Sequence, residues 1–143
     1  MIRKMKTSPP ETAFRALRTV SFSDTDAAGF VHFTALLRYV EDAEHQALRQ
    51  AGFPVFSQDT GWPRVHMDAD FISPAKFGDT LAILVWLDNI GSSSLTWNFL
   101  IRKEKESQNI TTVQLTCVRM GRDKGSRPFS LEEKSALLSR LPH

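Results

Sequence analysis

FTALLRYVEDAEHQALRQ, residues 33–50, is the stretch that decides the fold, because its apolar side chains repeat with the period of a helix. They recur at intervals of three, four, seven and eight residues, which places them in one stripe along about five turns. Gly52 and Pro54 predict the end of the helix. Thr34 is a candidate N-cap, although leucine at position 37 leaves the first turn without a capping box. The stripe consists of Phe33, Leu37, Val40, Ala47, Leu48 and Ala51.

On both sides of this helix the apolar period changes to two, which predicts strands. Before the helix, a strand is predicted at residues 14–23, with Phe22 at the end of its apolar face. Ser130 and Glu133 form a capping box, which predicts a short C-terminal helix. The strands predicted after the long helix are residues 65–72, 80–87, 93–102 and 110–120.

This order of elements indicates an α+β domain of two layers. Short links between the last four strands favour an antiparallel sheet. Residues 80–87 are apolar on both faces, which is typical of a central strand. Because one helix covers only one face of such a sheet, we expect a partner subunit.

The composition fits one domain. The chain has 143 residues, of which 41% are hydrophobic and 24% charged. We expect residues 1–13, which are polar and contain two prolines, to form a flexible N-terminal arm, and residues 14–143 to form the domain. No secretion signal is expected, because Thr7-Ser8-Pro9-Pro10 stands where its apolar core would lie. The longest apolar runs are too short to span a membrane.

Charge and cysteine content exclude several classes of protein. The 18 basic and 16 acidic residues are mostly interleaved and leave a net charge of +2, which does not favour nucleic acid as a partner. The single cysteine, Cys117, excludes a disulfide framework within the chain and a cysteine zinc cluster. We expect a cytoplasmic protein in which Cys117 is a small core residue.

A polar turn, DTDAAG at residues 24–29, connects the first strand to the long helix. An aspartate in such a turn often bonds only to nearby backbone amides. The helix that follows offers unpaired backbone N–H groups and the positive end of its dipole, which favour an anion.

Two segments resemble a known family. DTDAAGFVHF (24–33), followed by a helix that carries Glu41, resembles the active-site segment of hot-dog-fold acyl-CoA thioesterases of the 4-hydroxybenzoyl-CoA thioesterase type. DFISPAKFGDTL (70–81) resembles the second block of that family, and both segments are also similar to 1,4-dihydroxy-2-naphthoyl-CoA thioesterases. The resemblance covers about residues 14–122. It implies an antiparallel sheet wrapped around one long central helix, and hydrolysis of an aromatic or short to medium acyl-CoA without a metal or redox cofactor.

The resemblance also implies a catalytic set. Asp26 would act on the thioester as a nucleophile or as a general base on water, and both chemistries work without a metal. The backbone N–H of Phe33 would bind the carbonyl oxygen, while the Phe33 side chain would be the first core residue of the helix. Glu41 would orient water or hold the Asp26 loop, or would form an ion pair on the helix surface with Arg38 or His45.

The predicted substrate-binding residues are less specific. Gly29 would let the chain pass close to the substrate. His32 would contact substrate, cap the helix or be exposed. Ser93 and Ser94 stand where related proteins contact the CoA arm. Arg119 begins a basic stretch that would bind CoA phosphates or form a solvated loop.

Two further sets of polar residues require an interpretation. Glu44 lies near the middle of the apolar stripe, and burying an unpaired carboxylate is costly, so we expect a partner for it, either in the same chain or across a subunit boundary. His66, Asp68 and Asp70 share one face of a strand. They are either metal ligands or part of a solvent-facing surface. One histidine with two carboxylates is a common composition for a solvent-facing strand.

The resemblance places the sites at the interface of a homodimer or homotetramer. Three alternatives stay open: an acyl-carrier-protein thioesterase, a dehydratase on the same fold, and a non-hydrolytic acyl-CoA binder. The turn sequence DTDAAG favours hydrolysis over dehydration.

Overall fold

Residues 8–143 are described by a computed structural model, in which one long helix lies against an antiparallel sheet. A short 3-10 turn, Phe22–Asp24, precedes the long helix. In chain order the elements are β1 (Phe14–Thr19), α1 (Phe33–Gln50), β2 (Thr60–Gly61), β3 (Arg64–Phe71), β4 (Thr80–Ile90), β5 (Ser94–Lys103), β6 (Asn109–Val118), β7 (Met120–Gly121) and α2 (Leu131–Arg140).

The long helix α1 has the limits that its apolar period predicts. Its N-cap is His32 and not Thr34, since the backbone N–H of Thr34 donates to His32 Nδ1 at 3.2 Å. At the other end the chain turns through Gly52, whose φ of +83° is the left-handed conformation that favours glycine. The N–H of Phe53 then donates to the carbonyl of Leu48 at 2.9 Å and closes the last turn.

The main sheet has five strands in the order β1-β4-β5-β6-β3, and every neighbouring pair is antiparallel. Strand β4 lies inside the sheet, as its two apolar faces predict. The links β4–β5 and β5–β6 are hairpins, but β3 pairs with β6 and not with its sequence neighbour β4. Strand β3 is therefore an edge strand, at the opposite edge from β1.

Helix α1 covers the inner face of the sheet. Buried side chains of the helix, among them Ala35, Val40 and Ala47, pack into one core with those of the strands. This two-layer arrangement confirms the predicted α+β class and the hot-dog architecture. The buried apolar strand residues of this core include Leu81, Ile83, Val85, Leu95, Trp97, Phe99, Ile101, Val113 and Leu115.

The strand before the helix differs from the prediction at its C-terminal end, and the flexible N-terminal arm stays a prediction. Strand β1 ends at Thr19, and Phe22 in the following 3-10 turn is 76% exposed, so its predicted place on the inner face is wrong. Of the predicted arm, residues 1–7 lie outside the described part of the chain. Within the remainder, the N–H of Ala13 donates to the carbonyl of Pro10, and Ala13 packs against a small cluster on the outer face of the sheet. No helix in residues 8–143 is both long and apolar enough to cross a membrane.

The C-terminal helix α2 begins with the predicted capping box. Ser130 Oγ accepts the N–H of Glu133 at 3.1 Å, and the Glu133 carboxylate accepts the N–H of Ser130 at 2.9 Å. Arg119 also donates to this carboxylate from the end of β6. The pKa of Glu133 is lowered to about 2, mainly by the hydrogen bond from Arg119 and then by that from Ser130.

This low pKa predicts a loss of stability in acid. A carboxyl whose pKa is lower in the folded than in the unfolded chain stabilises the fold at high pH, and this contribution is lost as the pH falls. Between about pH 4.5 and about pH 2, the unfolding free energy of the wild type should fall more steeply than that of Glu133→Gln. Urea unfolding at several pH values measures both slopes, and equal slopes would contradict the expectation.

Candidate active site

Asp26 lies in the loop that leads into α1, and one of its carboxylate oxygens holds the loop together. Oδ1 accepts the backbone N–H groups of Ala28 at 2.9 Å and of Phe30 at 3.1 Å. The second oxygen, Oδ2, has no hydrogen bond to any group in residues 8–143, and the side chain is exposed. The turn interpretation and the catalytic one are therefore compatible, because each can use a different oxygen.

Gly29 supplies the backbone conformation of this loop. Its φ of +84° lies in the left-handed region, and its N–H donates to the Asp26 carbonyl at 3.0 Å. A Cβ at this position would meet no protein atom within 4 Å. Within the described chain, glycine is thus needed for its φ angle and not for a close approach, and contact with substrate stays a prediction.

The N-terminus of α1 presents a free backbone donor. The neighbouring N–H of His32 donates to the Asp24 carbonyl at 2.8 Å, whereas the N–H of Phe33 has no acceptor in residues 8–143. Unpaired N–H groups at a helix start favour an anion or a developing oxyanion. This arrangement agrees with the predicted oxyanion role of Phe33, which stays a prediction.

The Phe33 side chain is not a core residue. It is 54% exposed, stacks on the His32 ring with centroids 4.8 Å apart, and meets Phe71 of β3 edge-on at 6.1 Å. The expectation that it begins the core was wrong, because α1 starts beside the edge strand. His32 acts as the helix cap, one of the roles that the sequence left open.

Asp24, which the sequence analysis did not single out, anchors the loop from within. Its buried carboxylate accepts a hydrogen bond of 2.5 Å from Tyr39 Oη, and Arg18 and Arg38 lie 3.7 and 3.5 Å from it. Burial, followed by the hydrogen bond to Asp24, raises the pKa of Tyr39 to about 12. The signal was present in the sequence, since a buried tyrosine in a helix stripe needs a partner for its hydroxyl.

Arg64 is the second residue that sequence reasoning missed. Its guanidinium donates to both oxygens of Glu44 at 2.8 Å and to Glu41 at 3.0 Å. Glu44 is only 1% exposed, and burial raises the pKa of its carboxyl while Arg64 opposes that shift. The partner of Glu44 therefore lies in the same chain and not across a subunit boundary. Glu41 makes its surface ion pair with Arg64 instead of Arg38 or His45, and its catalytic role stays a prediction.

The predicted CoA ligands lie together, near the C-terminal end of α1. The N–H of Arg119 donates to the Ser93 carbonyl at 2.7 Å, and Ser94 follows as the first residue of β5. Beside Glu133, the Arg119 guanidinium binds the Pro128 carbonyl at 2.8 Å and stacks over Phe129. Asp26 lies at the opposite end of the helix within one chain. Contact of these residues with CoA stays a prediction.

The candidates for metal binding and for a cysteine nucleophile have ordinary structural surroundings. Residues 8–143 contain no cluster of three or more histidine, cysteine or acidic side chains that is arranged to hold a metal. His66 Nε2 lies 3.1 Å from Asp68 Oδ2, and both side chains are exposed. Cys117 is buried in the core, and burial raises the pKa of its thiol to about 12.

Comparison with known proteins gives consistent matches. The family model described as the Thioesterase superfamily matches residues 28–110. A 1,4-dihydroxy-2-naphthoyl-CoA hydrolase of Prochlorococcus marinus (strain NATL1A) is 32% identical, over 68% of this chain and 72% of its own length. A protein of the same name from Acaryochloris marina (strain MBIC 11017) is 31% identical, over 71% and 79%.

Solved structures share the fold. A 1,4-dihydroxy-2-naphthoyl-CoA thioesterase from Synechocystis superposes with a TM-score of 0.80 at 24% identity, covering 88% of this chain and 96% of that one. A gentisyl-coenzyme A thioesterase gives a TM-score of 0.77 at 23% identity, covering 85% and 98%. Since the family model spans more than half of the sequence, this chain belongs to the Thioesterase superfamily.

Proposed function

We propose that this chain hydrolyses the thioester of a hydroxylated aromatic acyl-CoA to the free acid and CoA. The observation that carries the proposal is that one loop and helix start present both an Asp26 oxygen and a Phe33 N–H without a hydrogen-bond partner in residues 8–143, in a member of this superfamily. The acyl class is supported by the names of its relatives, which act on dihydroxynaphthoyl and gentisyl thioesters.

In this proposal the Phe33 N–H donates to the thioester carbonyl oxygen, where negative charge develops. One such donor is typically worth about 2.7–4 kcal/mol in the transition state. Asp26 Oδ2 takes a proton from a water whose oxygen adds to the carbonyl carbon. The C–S bond then breaks and the CoA thiolate leaves. Direct attack by Asp26 would instead form a mixed anhydride that water hydrolyses, and both routes use the same oxygen.

A panel of substrates tests the proposal. Thiol release is measured with benzoyl-, hydroxybenzoyl-, dihydroxynaphthoyl- and short and long aliphatic acyl-CoA, and with one acyl-carrier protein. We expect the highest kcat/KM with a hydroxylated aromatic acyl-CoA. Release from the carrier protein alone would indicate a carrier-protein thioesterase. Binding of acyl-CoA without thiol release would indicate a binder or a dehydratase.

We also propose that two copies of this chain pair through their β3 edges, which places each site at the interface. Strand β3 has one neighbour in the sheet, and an unpaired edge is a template for another strand. Next to this edge lie exposed apolar side chains, and such patches are typical of interfaces. They are Phe33, Val65, Met67, Phe71 and Ile72, with exposures of 39–55%. A dimer and a tetramer both satisfy this arrangement.

A charge placed on the edge should therefore dissociate the assembly. We expect Val65→Lys to lower the mass in sedimentation and to reduce thiol release, because the proposed site is incomplete in one copy. The matched control is Leu17→Lys on the opposite edge strand, where Leu17 is also about half exposed, at 51%. If Leu17→Lys dissociates the protein and Val65→Lys does not, the interface lies at β1.

A further inference from the structure

We infer that Arg64 and Glu41 form the polar end of the acyl groove, where they bind a phenolic hydroxyl of the substrate. The inference rests on the proposed function and adds specificity-determining residues to it. It is carried by the shape of the groove beside α1, by the distance from the proposed oxyanion donor, and by the unused hydrogen-bonding capacity of the two side chains.

The groove lies between α1 and the edge strand β3 and has a volume of 210 Å³. Its walls are mainly apolar, and the Arg64–Glu41 ion pair is part of its lining. Leu37 follows Phe33 by one helical turn, and Met67 shares a face of β3 with Phe71, because side chains alternate along a strand. The acyl path of this inference therefore runs from the Phe33–Phe71 contact along Leu37 and Met67 into the groove. Its lining residues are Leu37, Arg38, Val40, Glu41, Arg64, Met67 and Leu115.

The length of this path fits an aromatic acyl group. Glu41 follows Phe33 by eight residues, or about 12 Å along the helix axis. Helix side chains lean toward the N-terminus, so the Glu41 carboxylate lies nearer to Phe33 than its Cα does. A thioester carbonyl at the Phe33 N–H would therefore direct an acyl group of one or two rings along Leu37, with its far end toward Glu41 and Arg64.

The end of the groove has the donors and acceptors that a phenol requires. Three N–H bonds of the Arg64 guanidinium go to Glu41 and Glu44, and a guanidinium carries five. In residues 8–143, Glu41 Oε1 makes no hydrogen bond, and the Glu41 side chain is 54% exposed. A phenol hydroxyl would donate to Glu41 and accept from Arg64.

An acyl group without a hydroxyl would displace water from these charged groups and would form no hydrogen bonds in its place. A site built to bond a hydroxyl rejects the analogue that lacks it, because its own polar groups lose their partners. Glu44 takes no part in this contact. It lies buried behind Arg64 and fixes the guanidinium with a bidentate pair, which makes Glu44 a positioning residue.

The test compares two ligands that differ only in the hydroxyl. Calorimetry measures the Kd of 4-hydroxyphenacyl-CoA and of phenacyl-CoA, thioethers that cannot be hydrolysed, and thiol release is measured with the matching benzoyl thioesters. The wild type should bind the hydroxylated ligand at least about tenfold more tightly. Glu41→Ala and the double variant Arg64→Met/Glu44→Leu should bring the ratio of the two Kd values close to one.

Arg15→Met is the matched control, since Arg15 pairs with Glu104 away from the groove and its loss should keep the wild-type ratio. An unchanged ratio in Glu41→Ala and in the double variant would overturn the inference, as would an equal loss of affinity for both ligands. If the double variant does not fold, Glu41→Ala decides, because that side chain is half exposed. Preference in binding without any thiol release would refute the proposed function alone, whereas release without preference would refute this inference alone.

Discussion

Asp26→Asn should lower the rate of thiol release by about 100-fold or more, which corresponds to about 2.7 kcal/mol in the activation free energy. Asparagine keeps an oxygen that accepts the N–H groups of Ala28 and Phe30, so the loop should keep its shape. The amide cannot take a proton from water or attack the thioester as a carboxylate does. The measurement is kcat with the best substrate of the panel, for the wild type and the variant side by side.

The matched control is Asp59→Asn, which makes the same chemical change in the exposed loop between α1 and β2, outside the Asp26 loop. It should keep wild-type kcat. Circular dichroism and the unfolding midpoint show whether each variant is folded. A folded Asp26→Asn protein with wild-type kcat would remove Asp26 from the mechanism.

Arg64→Met should cause the largest loss of stability, about 3–5 kcal/mol in the free energy of unfolding. It removes the partner of a carboxylate that is only 1% exposed. Burial already raises the pKa of Glu44, and loss of the guanidinium removes the main group that opposes this shift, ahead of the weaker contribution of His45. The folded variant should therefore hold a proton on Glu44 at pH values where the unfolded chain releases it, so its stability should decrease as the pH rises.

The double variant Arg64→Met/Glu44→Leu separates the effect of the unpaired Glu44 charge from the effect of lost Arg64 packing. With both charges gone, stability should return to the wild-type value or exceed it by about 1–4 kcal/mol. Urea unfolding at one fixed protein concentration measures all three proteins, since association would otherwise alter the result. A double variant as unstable as Arg64→Met would show that the packing of Arg64 matters, and not the unpaired charge.

Local patterns account for what the sequence predicted well. The limits of α1 follow from an apolar period within residues 33–50, and the start of α2 follows from the spacing of Ser130 and Glu133. Strand β4 lies inside the sheet, as its two apolar faces predict. Each of these features depends on side chains a few residues apart, so the sequence contains all the necessary information.

The features that were not predicted depend on contacts between distant segments. Strand β3 crosses to β6, and no short-range pattern distinguishes that pairing from a hairpin with β4. Arg64 meets Glu44 across 20 residues, and this contact exists only because β3 lies beside α1. The cap of α1 was left open between His32 and Thr34 for a different reason, since histidine is an unusual N-cap and Thr34 has the more common chemistry.

Because Cys117 is buried, one thiol reagent can be used both for the activity assay and for measuring unfolding. Its thiol has a pKa of about 12 and is 1% exposed, so the folded protein should not react with an aromatic disulfide dye at neutral pH. Colour in a thiol-release assay then comes from free CoA alone. In denaturant the same thiol becomes accessible, and with one cysteine in the chain the dye counts unfolded molecules one for one.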